Sequence, residues 1–126
     1  MAISGKQNPI NSFLIKFKKD VYFKEVISNI RLVKRLKLKS HSSMVKKLGI
    51  SCRYPGTFNS SIHAIIKFNS YKSAILNTIR AGGCNCSRSN FIGSYFSSLD
   101  GLKAIPKEWI RKCYHSHKII KLGSYT

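Results

Sequence analysis

The sequence predicts an all-α domain, and three observations predict it. Apolar residues recur at spacings of three and four along most of the chain, the signature of one buried helix face. No segment shows the strict apolar–polar alternation of a half-buried strand. Gly, Pro, Asn and Ser interrupt the periodic runs at short intervals, as loops between packed helices require.

Taken in order, residues 1–20 read as an irregular N-terminal segment. "MAISGKQNPINS" carries Gly, Asn, Pro and Ser without a period, and "FLIKFKKD" is a short apolar-basic patch. The helical portion is expected over 21–118. From Tyr22 to Leu38, Val26, Ile27, Ile30, Val33 and Leu36 make one helix face, and Lys24, Arg31, Lys34, Arg35 and Lys37 make a solvated basic one. A short helix follows over Ser42 to Leu48, with Met44, Val45 and Leu48 inward and Gly49 at its C-terminal turn. "YPGTF" is a turn, after which Thr57 can cap a helix to about Phe68 with Phe58, Ile62, Ile65 and Ile66 inward. Ser70 can cap the next helix, whose stripe is Tyr71, Ala74, Ile75 and Ile79, and Gly82-Gly83 ends it. Ser89 to Leu99 is helical by the spacing of Phe91, Ile92, Tyr95, Phe96 and Leu99; a strand over "SYFSSL" fits the flanking period less well. Pro106 opens a last helix, an allowed place for proline, with Glu108 near its positive end and Trp109, Ile110 and Cys113 inward. The count is about six helices, and 119–126 reads as a tail.

Length allows one domain that buries roughly two-thirds of its unfolded surface. The apolar share, 43%, lies outside the disordered range. Charge is the unusual quantity: 23 Lys and Arg face four acids, a formal +19. Such an excess repels itself and attracts polyanions without specificity, nucleic acid among them. The four cysteines, at 52, 84, 86 and 113, suit reduced thiols in a cytoplasmic setting. No secretory signal stands at the start, and no apolar run is long enough for a membrane span.

"AGGCNCSRSNFI" at 81–92 is the stretch that bears on chemistry. Thiols of Cys84 and Cys86 with Cys113, His115 and His117 are zinc-type donors, but the usual C-x₂₋₄-C pair is missing. A redox pair is disfavoured because Cys84 follows a helix end rather than clearly opening a helix, so a lowered thiol pKa is not indicated, with adjacent Arg88 the one feature in its favour. Cys52 and Cys113 are most simply small buried residues. His63, on the helix after Thr57, reads as a partly buried structural side chain. "AGGC" has neither the lysine nor the preceding strand of a phosphate loop.

"YPGTFNSSIHAI", "SYKSAILNTIRAGGCNCSRSNFIGS" and "GLKAIPKEW" come in this order at this spacing. Together they resemble the C-terminal part of the ADP-ribosylglycohydrolase family, most closely its J-crystallin-like branch. In that family a helix of the type "S-F-x-x-A-I" leads to "GGD-x-D-T", a helix rich in small residues and "I-P-x-x-W". The likeness covers about residues 32–113. It implies a larger all-helical fold that hydrolyses bonds to ADP-ribose with two Mg²⁺ ions. An N-terminal acidic motif and the "GGD-x-D-T" loop hold them there, as suits a hard cation that takes oxygen ligands.

Transferred to this chain, the resemblance places Gly82 and Gly83 on the glycine pair. Cys84 and Cys86 fall on the two aspartates, and Ser87 on the hydroxyl. Sulfur is a soft donor and a poor Mg²⁺ ligand. The acids of the chain are Asp20, Glu25, Asp100 and Glu108, and none lies in an N-terminal acidic motif of the family kind. The expectation is therefore a truncated relative with degenerate metal positions Cys84, Cys86 and Ser87. It would have no catalytic residue and no cofactor, Mg²⁺ belonging to complete members. Its role would be structural, as in crystallins. An ADP-ribose-like ligand is implied only for complete relatives, and a fragment of this kind would expose apolar surface and self-associate. The other class is a small basic helical module that binds nucleic acid through Arg31–Lys47.

Overall fold

The computed structural model describes residues 8–124. Within them the chain forms eight α-helices and one 3₁₀ turn, with no strand. They are α1 (Pro9–Lys16), α2 (Lys24–Arg35), α3 (His41–Leu48), α4 (Gly56–Lys67), α5 (Tyr71–Arg80), α6 (Asn85–Asp100), the 3₁₀ turn (Gly101–Ala104), α7 (Lys107–Lys112) and α8 (Ser116–Gly123). The all-α class stands, and each of the six expected helices is present.

The two additional helices lie where irregular chain and tail are expected. α1 forms inside the segment 1–20, of which residues 1–7 lie outside the described residues. The Asn8 side chain accepts from the Ile10 amide at 3.0 Å, and Pro9 occupies the first turn, where a missing N–H costs nothing. Ile10 is buried, while Phe13 and Leu14 pack against the core. The rings of Phe13, Phe17 and Phe23 cluster at centroid distances of 4.7–5.4 Å. α8 likewise runs through much of the expected tail.

α4 is the central helix. Eight of its twelve residues are buried, on all sides, because α2, α3, α5 and α6 surround it. Its buried hydroxyls satisfy themselves locally: Ser60 donates to the Gly56 carbonyl at 2.8 Å and Ser61 to that of Thr57 at 2.7 Å. The core joins Ile30 and Val33 of α2, Ile62, Ala64 and Ile65 of α4, Ala74 and Ile75 of α5, and Ile92 and Phe96 of α6. Val26 and Leu36 lie at the edges of the α2 stripe. Two expected caps differ in detail. Ser70 does cap α5, accepting from Ser73 N at 3.2 Å. Thr57 does not cap α4, because Pro55 and Gly56 already start the turn ahead of it.

No helix among the described residues is long and apolar enough to cross a membrane. Trp109 of α7 packs against the core beside Tyr71, with ring centroids 6.1 Å apart. Glu108, in the first turn of α7, pairs with Lys72 at 3.1 Å across an exposed surface.

Candidate functional site

The segment 81–88 is a tight bend between α5 and α6. Gly82 and Gly83 have φ of +77° and +73°, a region other residues enter only at a cost. At Gly83 the reason is also spatial: a Cβ there would lie 2.5 Å from the Ile50 carbonyl oxygen. The next amide, of Cys84, donates to that same oxygen at 2.7 Å. The bend is therefore seated on the chain at Ile50–Cys52, which itself turns.

Cys84 is the N-cap of α6, and Cys86 and Ser87 lie in the first turn of that helix. This corrects the expectation that the helix begins at Ser89 and that Cys84 merely trails the one before. The Cys84 sulfur lies 3.4 Å from the Ser87 hydroxyl. Hydrogen bonds from the Ser87 side chain and amide hold the Cys84 thiol below the usual thiol range. Cys52 and Arg88 add to this, against the opposing effect of burial. Of the three residues expected at metal positions, the structure thus joins Cys84 to Ser87 and leaves Cys86 exposed.

Arg88 turns away from solvent and is fully buried. Its Nη2 donates to the Gly82 carbonyl, to Asn85 Oδ1 at 2.9 Å and to the Thr78 carbonyl at 3.4 Å. Its Nε donates to Thr78 Oγ1 at 3.1 Å, while Nη1 is buried with no partner among the described atoms. The guanidinium holds the bend together by binding its oxygens from beneath.

Beyond Thr78 the bonds continue through two buried histidines. His41 Nε2 lies 3.2 Å from Thr78 Oγ1, His41 Nδ1 lies 3.0 Å from His63 Nδ1, and His63 Nε2 lies 3.1 Å from the Leu36 carbonyl. The two ends of this chain fix every proton in it. A carbonyl only accepts, so His63 carries its proton on Nε2 and accepts at Nδ1. His41 then donates from Nδ1 and accepts at Nε2 from the Thr78 hydroxyl. Thr78 in turn accepts from Arg88, which only donates. Both imidazoles are neutral in this arrangement. Burial, His63, Arg88 and Lys67 together hold His41 down at about 4, and burial also lowers His63.

The donor set does not fit Mg²⁺. Two thiols and one hydroxyl stand where a hard cation needs oxygens. The nearby oxygens of Gly82 and Asn85 are already bound to Arg88, whose positive charge faces the bend in a poorly solvated place. Asp20 accepts from the Tyr22 amide, and Glu108 pairs with Lys72. Among the described residues no three His, Cys, Asp or Glu side chains could hold an ion together, so the zinc-type grouping of Cys84 and Cys86 with Cys113, His115 and His117 does not assemble.

Two other readings change. Cys52 and Cys113 are exposed rather than buried. His63 is wholly rather than partly buried. The sequence reading missed His41 and Thr78. His41 precedes the first expected residue of α3, and Thr78 stands beside the apolar stripe of α5. The available signal was their spacing: a polar side chain at the inner edge of each helix, opposite His63 on the central one.

Comparison with known proteins gives three results. A family model described as ADP-ribosylglycohydrolase matches residues 2–125. Crystallin J1A of Tripedalia cystophora is 33% identical over 82 residues, covering 65% of this chain and 26% of that protein. Crystallin J1B of the same organism is 28% identical over 80 residues, covering 64% of this chain and 25% of that protein. The chain therefore spans about a quarter of the length of these curated relatives. No solved structure matches it significantly.

Proposed function

The chain belongs to the ADP-ribosylglycohydrolase family, and from that premise we propose that it is a non-hydrolysing member with a structural, crystallin-like role. The observation that carries the proposal is the bend at 82–88. Where the family's loop offers two carboxylates to a cation, this one offers Cys84 and Cys86, and Arg88 ties up the neighbouring oxygens from below. A loop already organised around an internal guanidinium needs no metal ion to hold its shape. Likeness to the two crystallins supports a role that rests on the folded helices rather than on turnover. The setting that agrees with four free thiols is a reducing one such as the cytoplasm.

The test is hydrolysis. Purified chain with Mg²⁺ is incubated with an ADP-ribosylated protein, and released ADP-ribose is measured beside a Ser87→Ala control. Equal, background-level release is expected from both. Release by the wild-type chain above that of the control would overturn the proposal.

A second reading, weak binding of nucleic acid through charge, is favoured by a cleft of ≈ 660 Å³ between the turn after α1 and α2. Lys18, Lys19, Lys24, Arg31 and Arg35 line it, with Asp20 as the one acid. Arg31 and Arg35, which belong to the proposed Arg31–Lys47 surface, line it beside Lys18 and Lys19. Binding of a random-sequence RNA should fall steeply between about 50 mM and 200 mM salt and show no sequence preference. Salt-resistant, sequence-selective binding would instead make this the principal role.

A further inference from the structure

We propose that the trough between α1 and α2 docks an amphipathic helix with an acidic polar face, supplied by a partner protein. The inference goes beyond both readings above and rests on neither.

Two clefts adjoin here, of ≈ 660 Å³ and ≈ 500 Å³, and they share Lys18, Arg31 and Arg35. Together they make one trough along α2. Lys24, Ser28, Arg31 and Arg35 follow one another at spacings of four and three, which aligns them on one helix face. The twelve residues of α2 extend about 18 Å, enough to lie along about three turns of a docked helix. The opposite wall is the end of α1 and the turn after it. Two contacts hold that wall in place. Lys34 Nζ donates to Asn11 Oδ1 at 2.9 Å, and the rings of Phe13 and Phe17 pack on Phe23, just ahead of α2. A surface already shaped in this way gives up little freedom when a partner binds.

The lining combines two chemistries. Ile15, Val21 and Leu32 are 75%, 82% and 45% exposed, a concentration of apolar surface that marks a contact face. Around them six cationic side chains face one acid, Asp20, which accepts from the Tyr22 amide at 2.9 Å. A second copy of the chain would bring its own formal +19 against these cations. Nucleic acid would meet the cations but leave the aliphatic floor unused, since no aromatic ring among the described residues lines either cleft for a base to stack on. A lipid surface is flat where this one is concave. A helix with apolar residues on one face and Glu or Asp on its flanks matches both chemistries. Its apolar side chains at i, i+3 and i+4 enter the trough, while its carboxylates meet Arg31 and Arg35.

The experiment titrates the full isotope-labelled chain with synthetic peptides at about 0.15 M salt, where bulk attraction is screened, and follows the amide NMR shifts. The probe is a helical peptide of about four turns, with Leu at i, i+3, i+4 and i+7 and Glu or Gln elsewhere. Its control has the same composition in an order without that period. The probe is expected to shift amides of residues 14–35 and to bind about tenfold more tightly than the control. Arg31→Glu with Arg35→Glu should weaken the probe by about tenfold or more. Arg111→Glu with Lys112→Glu, which changes the same charge outside the trough, should weaken it by less than about twofold. Leu32→Ser should weaken it by about fivefold. All five positions are exposed, and the spectra of the free variants check that each one folds. The proposal is overturned if the probe does not bind, if probe and control bind equally, or if the shifts fall outside α1, α2 and the turn between them. It is equally overturned if random-sequence RNA or anionic phospholipid vesicles displace the probe at lower concentration than the probe itself needs. Shifts of the same amides on concentrating the chain alone would assign the trough to a second copy and overturn it too.

Discussion

At the scale of single residues, the hydrogen-bonded line from Leu36 to Arg88 makes two predictions. The first concerns acid. Folding depresses the His41 pKa from 6.5 to about 4, so between those values the folded chain binds fewer protons than the unfolded one. The stability contributed by neutral His41 is complete above pH 6.5 and is lost as pH falls to about 4. At about 1.4 kcal/mol per pKa unit the loss is about 3 kcal/mol. His63, also lowered, acts in the same direction. Urea denaturation at pH 7 and at pH 4.5 should show it, and equal midpoints would contradict it. The second concerns Thr78, whose hydroxyl both donates to His41 and accepts from Arg88. Thr78→Val keeps the shape and leaves two buried groups without their partner, at about 1–3 kcal/mol. Thr78→Ser keeps the hydroxyl and should cost less than about 1 kcal/mol. A smaller loss for valine than for serine would show that the line is not continuous.

At the scale of elements, the two glycines of the bend should respond differently. Both have positive φ, but an added Cβ at Gly82 meets nothing within 4 Å, whereas at Gly83 it meets the Ile50 backbone. Gly82→Ala should cost about 1–2 kcal/mol from its backbone conformation alone. Gly83→Ala should cost more, since it also separates the bend from the turn at Ile50. Denaturation midpoints of the two variants decide the order. Asn8→Ala should remove about 1 kcal/mol by uncapping α1, read as earlier hydrogen exchange in that helix. These elements also show what a sequence can and cannot convey. α2 to α6 were legible because each buries apolar residues at spacings of three and four, and α7 because Pro106 marks its start. α1 was not, since Asn, Pro and Ser at its start look like loop until Asn8 is recognised as a cap and Pro9 as a first-turn residue. The thiols at 84 and 86 were legible by position. Their surroundings were not, because Arg88 folding inward and the seating of the bend on Ile50 are tertiary facts. His41 and Thr78 acquire meaning only once α3, α4 and α5 face each other.

At the scale of the whole molecule, an excess of nineteen positive charges acts against compaction. One exposed ion pair, Lys72–Glu108, is a small counterweight, since both side chains are about half exposed and solvent screens their attraction. Raising the ionic strength from about 0.01 M to about 0.15 M shortens the screening length from about 30 Å to about 8 Å. The thermal midpoint should therefore rise with salt, and a midpoint that falls would mean that specific surface pairs matter more than net repulsion. Among the described residues the buried Arg88 guanidinium is the cation least open to screening by salt, and it has a consequence for substitutions in the bend. Aspartate introduced at 84 would not by itself make a seat for a metal ion. Its carboxylate would meet the Arg88 guanidinium first and neutralise that charge. A cation could settle in the bend only after a side chain was evicted from the interior, where its hydrogen bonds hold the surrounding chain in place.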